Sequence, residues 1–102
     1  MILYIMRHAE AVAAIDTLPD QWRFLTEAGR TASKKVCTAV ARYGPKTRLI
    51  VTSPLTRAVQ TAEIAAGVAC RRNRVIASEL LLPGTDVTAL KTFLRQQHEK
   101  QP

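Results

Sequence analysis

Long apolar runs are missing from this chain, and nothing in its 102 residues approaches the roughly 18 consecutive apolar positions a membrane helix needs. The opening "MILYIM" is too short for a signal peptide, has no basic stretch before it and meets Arg7 at once, so the expected setting is the cytoplasm. Cysteine is scarce too. Cys37 and Cys70 have no CxxC spacing and lie among apolar neighbours, which reads as reduced thiols used for packing rather than redox chemistry. Only five aromatic residues are present, and none interleaves the densest basic cluster, "CRRNRV" at 70–75. That cluster is read as a solvated loop rather than a nucleic-acid patch. Acidic residues are outnumbered, 8 against 15 basic ones, and the net charge of +7 favours acidic partners such as phosphate esters, acidic proteins or nucleic acid.

What is present suits one soluble globular domain with a modest core: 47% of residues are apolar and 23% charged. Residues 2–6, "ILYIM", predict a short, fully buried strand. Residues 9–25 are irregular, with Pro19 and Asp20 as turn signals and Trp22 and Phe24 as anchors. Thr26 is a plausible N-cap for a helix whose apolar face is Ala28, Ala32, Val36 and Val40, stopped by Gly44 and Pro45. A second strand covers 48–52, and Ser53 with Pro54 caps a helix at once. That helix presents Leu55, Ala58, Val59, Ala62, Ala65 and Ala66 and ends near Gly67. A third strand covers about 73–77, a Pro-Gly loop covers 79–86, and a last helix carries Val87, Leu90, Phe93 and Leu94 before a polar tail. Strands alternating with helices predict an α/β domain of three parallel strands with helices on its faces.

In open α/β sheets ligands bind beyond the carboxyl ends of the strands. The first predicted strand delivers Arg7 and His8 to that edge, the second leads to Ser53 and a helix start bearing Arg57, and the third leads to Glu79. Two arginines converging on one spot repel unless an anion lies between them, and guanidinium forks match phosphate oxygens with paired hydrogen bonds. A helix N-terminus adds a dipole of the same sign. An imidazole facing a phosphoryl group so held is an activated nucleophile. The expected chemistry is phosphoryl transfer to His8 followed by hydrolysis, with no metal and no cofactor, because the arginines neutralise the developing charge. His8-Ala9-Glu10 also fits the H-x-E of zinc deaminases, but no PC-x-x-C follows and that reading is discarded.

"MRHAEA", "LTEAGR" and "TSPLTRAVQTAEI", in that order, resemble the histidine phosphatase superfamily, which also contains the cofactor-dependent phosphoglycerate mutases. The short spacing and "SELLLPGTD" look most like its SixA-type phosphohistidine phosphatases, and the likeness runs from residue 1 to about 95. The resemblance implies a three-layer α/β/α phosphoglycerate mutase-like fold with a mainly parallel sheet. It also implies His8 as nucleophile, Arg7 and Arg57 as phosphoryl ligands, and Glu79 where some members place a proton donor. Ala9 stands where the family usually has the glycine of RHG. The family's second catalytic histidine, in an "SHxP"-like or "GHxP"-like motif after a later strand, has no counterpart. His98 lies in the polar helical "RQQHEKQ". The chain therefore reads as a single domain, 1–102, equivalent to the N-terminal two-thirds of the family fold and truncated at its C-terminal side.

The expected function is that of a protein phosphohistidine phosphatase acting through His8, weak in this short form. Its substrate would be a phosphorylated protein or a small phosphoester. A non-catalytic phosphate-binding remnant is the alternative, followed by a basic binder of nucleic acid or acidic proteins. A sheet that ends early leaves an unpaired edge, so self-association is expected through it.

Overall fold

The computed structural model describes residues 2–70, 72 and 74–100. Arg71 and Asn73, and with them part of the basic cluster, lie outside the described residues. Helix α1, Glu27–Tyr43, starts where the sequence signals it: Thr26 Oγ1 accepts from the Gly29 N–H at 2.9 Å, satisfying a donor that no helical carbonyl can reach. It ends at Gly44, whose N–H bonds to the Val40 carbonyl, with Pro45 next in the chain. The face it buries differs from the predicted one. Ala28, Ala32 and Val36 are exposed, and the buried stripe is Gly29, Ser33 and Cys37. On this stripe Gly29 meets the Glu10 backbone and Cys37 Sγ meets Met6 Sδ, while α1 as a whole packs on α2, Thr56–Ala69, whose buried face is Thr61, Ala62, Ala65, Ala66 and Ala69 together with Arg57. Hydropathy misses such a stripe because close approach of two backbones selects small residues rather than apolar ones.

Helix α2 begins later than predicted. Its N-cap is Leu55, without a side-chain cap, and Ser53 lies buried just beyond the preceding strand. It also runs past Gly67 to Ala69, and that glycine has open space around it. Strand β1, Ile50–Thr52, pairs in parallel with β2, Val75–Ala77, with Ile50 opposite Val75 and Thr52 opposite Ala77. Helix α2 is the crossover between them and packs against both. The class is therefore α/β, as expected.

The sheet has two strands among the described residues, not three. Residues 2–6 form no strand, and Ile2, Leu3, Tyr4, Ile5 and Met6 are all exposed, Ile5 to 91%. The segment runs antiparallel along α1. The Tyr4 hydroxyl donates to the Pro45 carbonyl (3.1 Å) at the far end of the helix, Met6 Sδ meets Cys37 Sγ (3.9 Å), and the Glu10 carbonyl accepts from Thr26 N–H (3.0 Å) at the near end. No backbone–backbone hydrogen bond joins residues 2–8 to any described residue. A central strand needs neighbours on its edges and cover on its faces. Here only one face has cover, so apolarity alone does not bury the segment.

Trp22 and Phe24 are not anchors either, at 61% and 45% exposed; Leu25, at 2%, fills that role. Its N–H is held by Gln60 Oε1 of α2 at 2.7 Å. The Pro83-Gly84 turn is as predicted: Gly84 has φ +82°, and Thr85 N–H bonds to the Leu82 carbonyl, the geometry of a type II turn. Helix α3, Val87–Lys100, continues through the predicted polar tail, packs on the 3₁₀ turn Glu79–Leu81 and buries none of its residues. No helix of the described residues is long and apolar enough to cross a membrane.

These features make an open molecule. Its radius of gyration is 14.1 Å, where a compact chain of this length has about 13 Å. It exposes 7145 Å², about a quarter more than the roughly 5,700 Å² of a compact protein of its size.

Candidate active site

Arg57 is the second residue of α2, where the helix already carries a partial positive charge and a cation is disfavoured. Its side chain is nevertheless only 10% exposed. A buried guanidinium at the wrong end of a helix needs acceptors around it, and the structure supplies three. Nη1 donates to the Asp20 carbonyl (2.8 Å), Nη2 to Asp20 Oδ2 (3.4 Å) and Nε to His8 Nε2 (3.3 Å). A guanidinium carries five N–H groups. Three are thus engaged, leaving one on each Nη without a described partner.

These contacts fix the state of His8. Its Nδ1 lies 2.7 Å from the Ala9 carbonyl oxygen, which can only accept, so Nδ1 carries the proton. Nε2 must then present its lone pair, because the Arg57 Nε–H opposite it can only donate. The loop after His8 is pinned to the same helix: Ala9 N–H donates to Thr61 Oγ1 (3.2 Å), and that hydroxyl donates to the Arg57 carbonyl (2.9 Å). Thr61 therefore ties the imidazole and the guanidinium to one turn of α2.

Asp20 belongs to a 3₁₀ turn, Asp20–Trp22, packed against α2. Its carboxylate bridges Arg57 and Arg23, whose Nη1 lies 3.0 Å away. Arg23 is itself anchored by Nε to the Val12 carbonyl at 2.6 Å. The Arg23 hydrogen bond, and secondarily the charge of Arg57, hold the Asp20 carboxyl below its ordinary range. In the sequence Asp20 is marked only as a turn residue beside Pro19. The available signal was the Asp-x-x-Arg spacing of Asp20 and Arg23, which places both on one side of a single helical turn.

Of the predicted site residues, His8 and Arg57 are brought together. Arg7 is exposed and makes no hydrogen bond or ion pair to a described residue; it reaches the site through its peptide link to His8. Glu79 follows β2 at the carboxyl edge of the sheet, where Ser78 N–H bonds to the Thr52 carbonyl (2.8 Å). Its carboxylate is exposed and contacts neither His8 nor Arg57. His98 is exposed in the last turn of α3. A shallow cavity of about 420 Å³, lined by Thr31, Lys34, Lys35 and Thr38, lies on the outer side of α1 and shares no residue with this cluster.

The arrangement offers an imidazole lone pair beside a buried cation, which suits covalent transfer of an anionic group. Residues 3–79 match the family model of the histidine phosphatase superfamily, branch 1. An uncharacterised protein of Picosynechococcus is 44% identical over 66 residues, which are 65% of this chain and 40% of that protein. Among solved structures, a protein named as the phosphohistidine phosphatase SixA of Nakamurella multipartitia superposes with a TM-score of 0.69 at 26% identity, over 86% of this chain and 46% of that one. The protein histidine phosphatase SixA complexed with tungstate superposes with a TM-score of 0.77 at 24% identity, over 93% of this chain and 60% of that one; it shares the fold. The chain therefore spans about half the length of the proteins it resembles.

Proposed function

Because the chain belongs to the histidine phosphatase superfamily, we propose that it is a phosphohistidine phosphatase of the SixA kind whose nucleophile is His8. The observation that carries this reading is the Arg57 Nε contact to an unprotonated His8 Nε2. In the first step the Nε2 lone pair attacks phosphorus. The P–N bond of the substrate's phosphohistidine breaks, and its electron pair leaves on the departing imidazole, which takes up a proton. Arg57 neutralises charge on the transferring oxygens, and Arg7 adds a second guanidinium if it turns inward. In the second step water attacks phosphorus, loses a proton to solvent and releases inorganic phosphate, returning the pair to Nε2. Glu79 is the proposed donor of the leaving-group proton, from its place at the sheet's carboxyl edge. A tetrahedral oxyanion, the tungstate bound by a solved relative, is the kind of ligand this site would take.

The substrate proposed is a phosphorylated protein, because no insertion among the described residues covers the half-buried His8 and the exposed Arg7 beside it. The chain would act as the N-terminal part of one phosphatase domain and would self-associate through the unpaired edge of its sheet. Within these 102 residues, His98 lies on the exposed end of α3 and does not stand in for the family's second histidine. Losing one preorganised donor costs about 10²–10³-fold in turnover. The same observation favours, as second reading, a phosphate-binding module without turnover.

The test measures phosphate release from a phosphohistidine protein. Activity should vanish in His8→Ala, fall steeply in Arg57→Ala, survive His98→Ala and rise on adding a family-like C-terminal segment. Hydrolysis persisting in His8→Ala rejects the mechanism. Phosphate binding without release, lost in Arg57→Ala, selects the second reading.

A further inference from the structure

Nε and Nη2 form one edge of the Arg57 guanidinium, the edge a phosphoryl group grips with paired hydrogen bonds. In this structure that edge is already divided. Nε is given to His8 Nε2 at 3.3 Å and Nη2 to Asp20 Oδ2 at 3.4 Å. We propose that the Asp20 carboxylate is a resident anion on Arg57, and that a phosphoryl group must displace it before the His8 lone pair is free to attack. This rests on the phosphoryl reading of the His8–Arg57 pair.

Three features suit Asp20 to exchange. Its side chain is 61% exposed, so it can swing into water without leaving a buried charge alone. It keeps a shorter bond to Arg23 Nη1, at 3.0 Å, and needs to give up only the longer one to Arg57. The guanidinium, meanwhile, stays anchored through Nη1 to the Asp20 backbone carbonyl at 2.8 Å, a bond that no side-chain exchange breaks. Arg57 therefore remains in place while its gripping edge changes partners. When that edge turns to phosphoryl oxygens, Nε–H leaves His8 Nε2 and uncovers the nucleophile. Without such an anion the lone pair stays covered. Asp20 acts through Arg57 and is thus a positioning residue that sets the threshold for anion entry.

The experiment titrates the full chain with inorganic phosphate or tungstate, by calorimetry or by the imidazole nitrogen signals of His8. Asp20→Asn keeps the backbone carbonyl and removes the charge. It should bind the anion about two- to fivefold tighter than the parent, the scale of one partly exposed ion pair. Asp20→Glu should restore the weaker binding. A gain of affinity is not the result of damage to a merely structural contact. Asp20→Ser provides the same comparison if the asparagine variant does not fold. Binding that depends on Arg57 but is unchanged or weaker in the neutral Asp20 variants overturns the proposal and leaves the phosphoryl reading standing. Binding that is absent, or indifferent to Arg57→Ala in every variant, overturns both.

Discussion

Ile5, in the most apolar stretch of the chain, is 91% exposed, whereas Ser33, in the middle of α1, is 2% exposed. The two regions differ in what surrounds them, not in how well their residues suit a core. Residues 2–8 have α1 along one side and no strand beside them. Ser33 lies between Gly29, which meets the Glu10 backbone, and Cys37, on the buried stripe of a helix that packs on α2. Burial follows from having a partner surface of matching shape, and side-chain apolarity adds stability only once that partner exists. The His8–Arg57 cluster sits on the well-packed side of this divide. Arg57, Thr61 and Gln60 all belong to α2 and hold the irregular segment from Ala9 to Leu25 against it.

The sharpest way to break the contrast is to truncate one apolar residue from each region. Leu25→Ala should lower unfolding stability by about 2–5 kcal/mol, as for other fully buried leucines. Ile5→Ala should change the monomer by less than about 0.5 kcal/mol. Denaturant melts at low protein concentration measure both. Equal losses would mean that residues 2–8 are buried in solution. Two glycines give the next test. A Cβ at Gly29 would overlap the Glu10 carbonyl, so Gly29→Ala should cost about 1–3 kcal/mol through overpacking. Gly67, inside α2 with nothing near it, should gain up to about 1 kcal/mol on replacement by alanine.

Ser33 sharpens the comparison from the other side. Its buried hydroxyl has no hydrogen-bond partner among the described residues. Ser33→Ala should therefore raise stability by roughly 1 kcal/mol, the lower end of the penalty for an unsatisfied buried group. A loss would show that the hydroxyl has a partner in solution. The smallest effect expected is a pH dependence. Asp20 is held below its ordinary value of 3.8, first by the Arg23 hydrogen bond and then by Arg57. Its contribution to stability is complete above pH 3.8 and is lost as the pH falls through the lower folded value. Acid unfolding of Asp20→Asn should lack that component and converge with the parent in strong acid.

Much of this was legible in the sequence where a local signal names its own outcome. Thr26 marked the start of α1, Pro83-Gly84 marked a turn, and the runs at 48–52 and about 73–77 marked the strands found at 50–52 and 75–77. His8 and Arg57 were legible because a sheet-edge argument and a family motif pointed to the same residues. The buried stripe of α1 was not, because glycine, serine and cysteine carry little hydropathy and their burial depends on segments distant in sequence, such as Glu10 against Gly29. Asp20 was hidden for a similar reason: the local Asp-x-x-Arg spacing pairs it with Arg23, but its second partner, Arg57, is 37 residues away. The strand expected at 2–6 failed through the absence of neighbours, which no local pattern reports.

The central claim is that His8 Nε2, beside Arg57, accepts a phosphoryl group. It is tested most directly by incubating the full chain with a small phosphoramidate donor, quenching in base and locating phosphorus by peptide mass spectrometry and ³¹P resonance. The account predicts a single acid-labile, base-stable phosphohistidine at His8. Labelling should be absent in His8→Ala and about a hundredfold slower in Arg57→Ala, the loss of one preorganised donor. Undiminished labelling in His8→Ala, or phosphate carried on His98 instead, would contradict it.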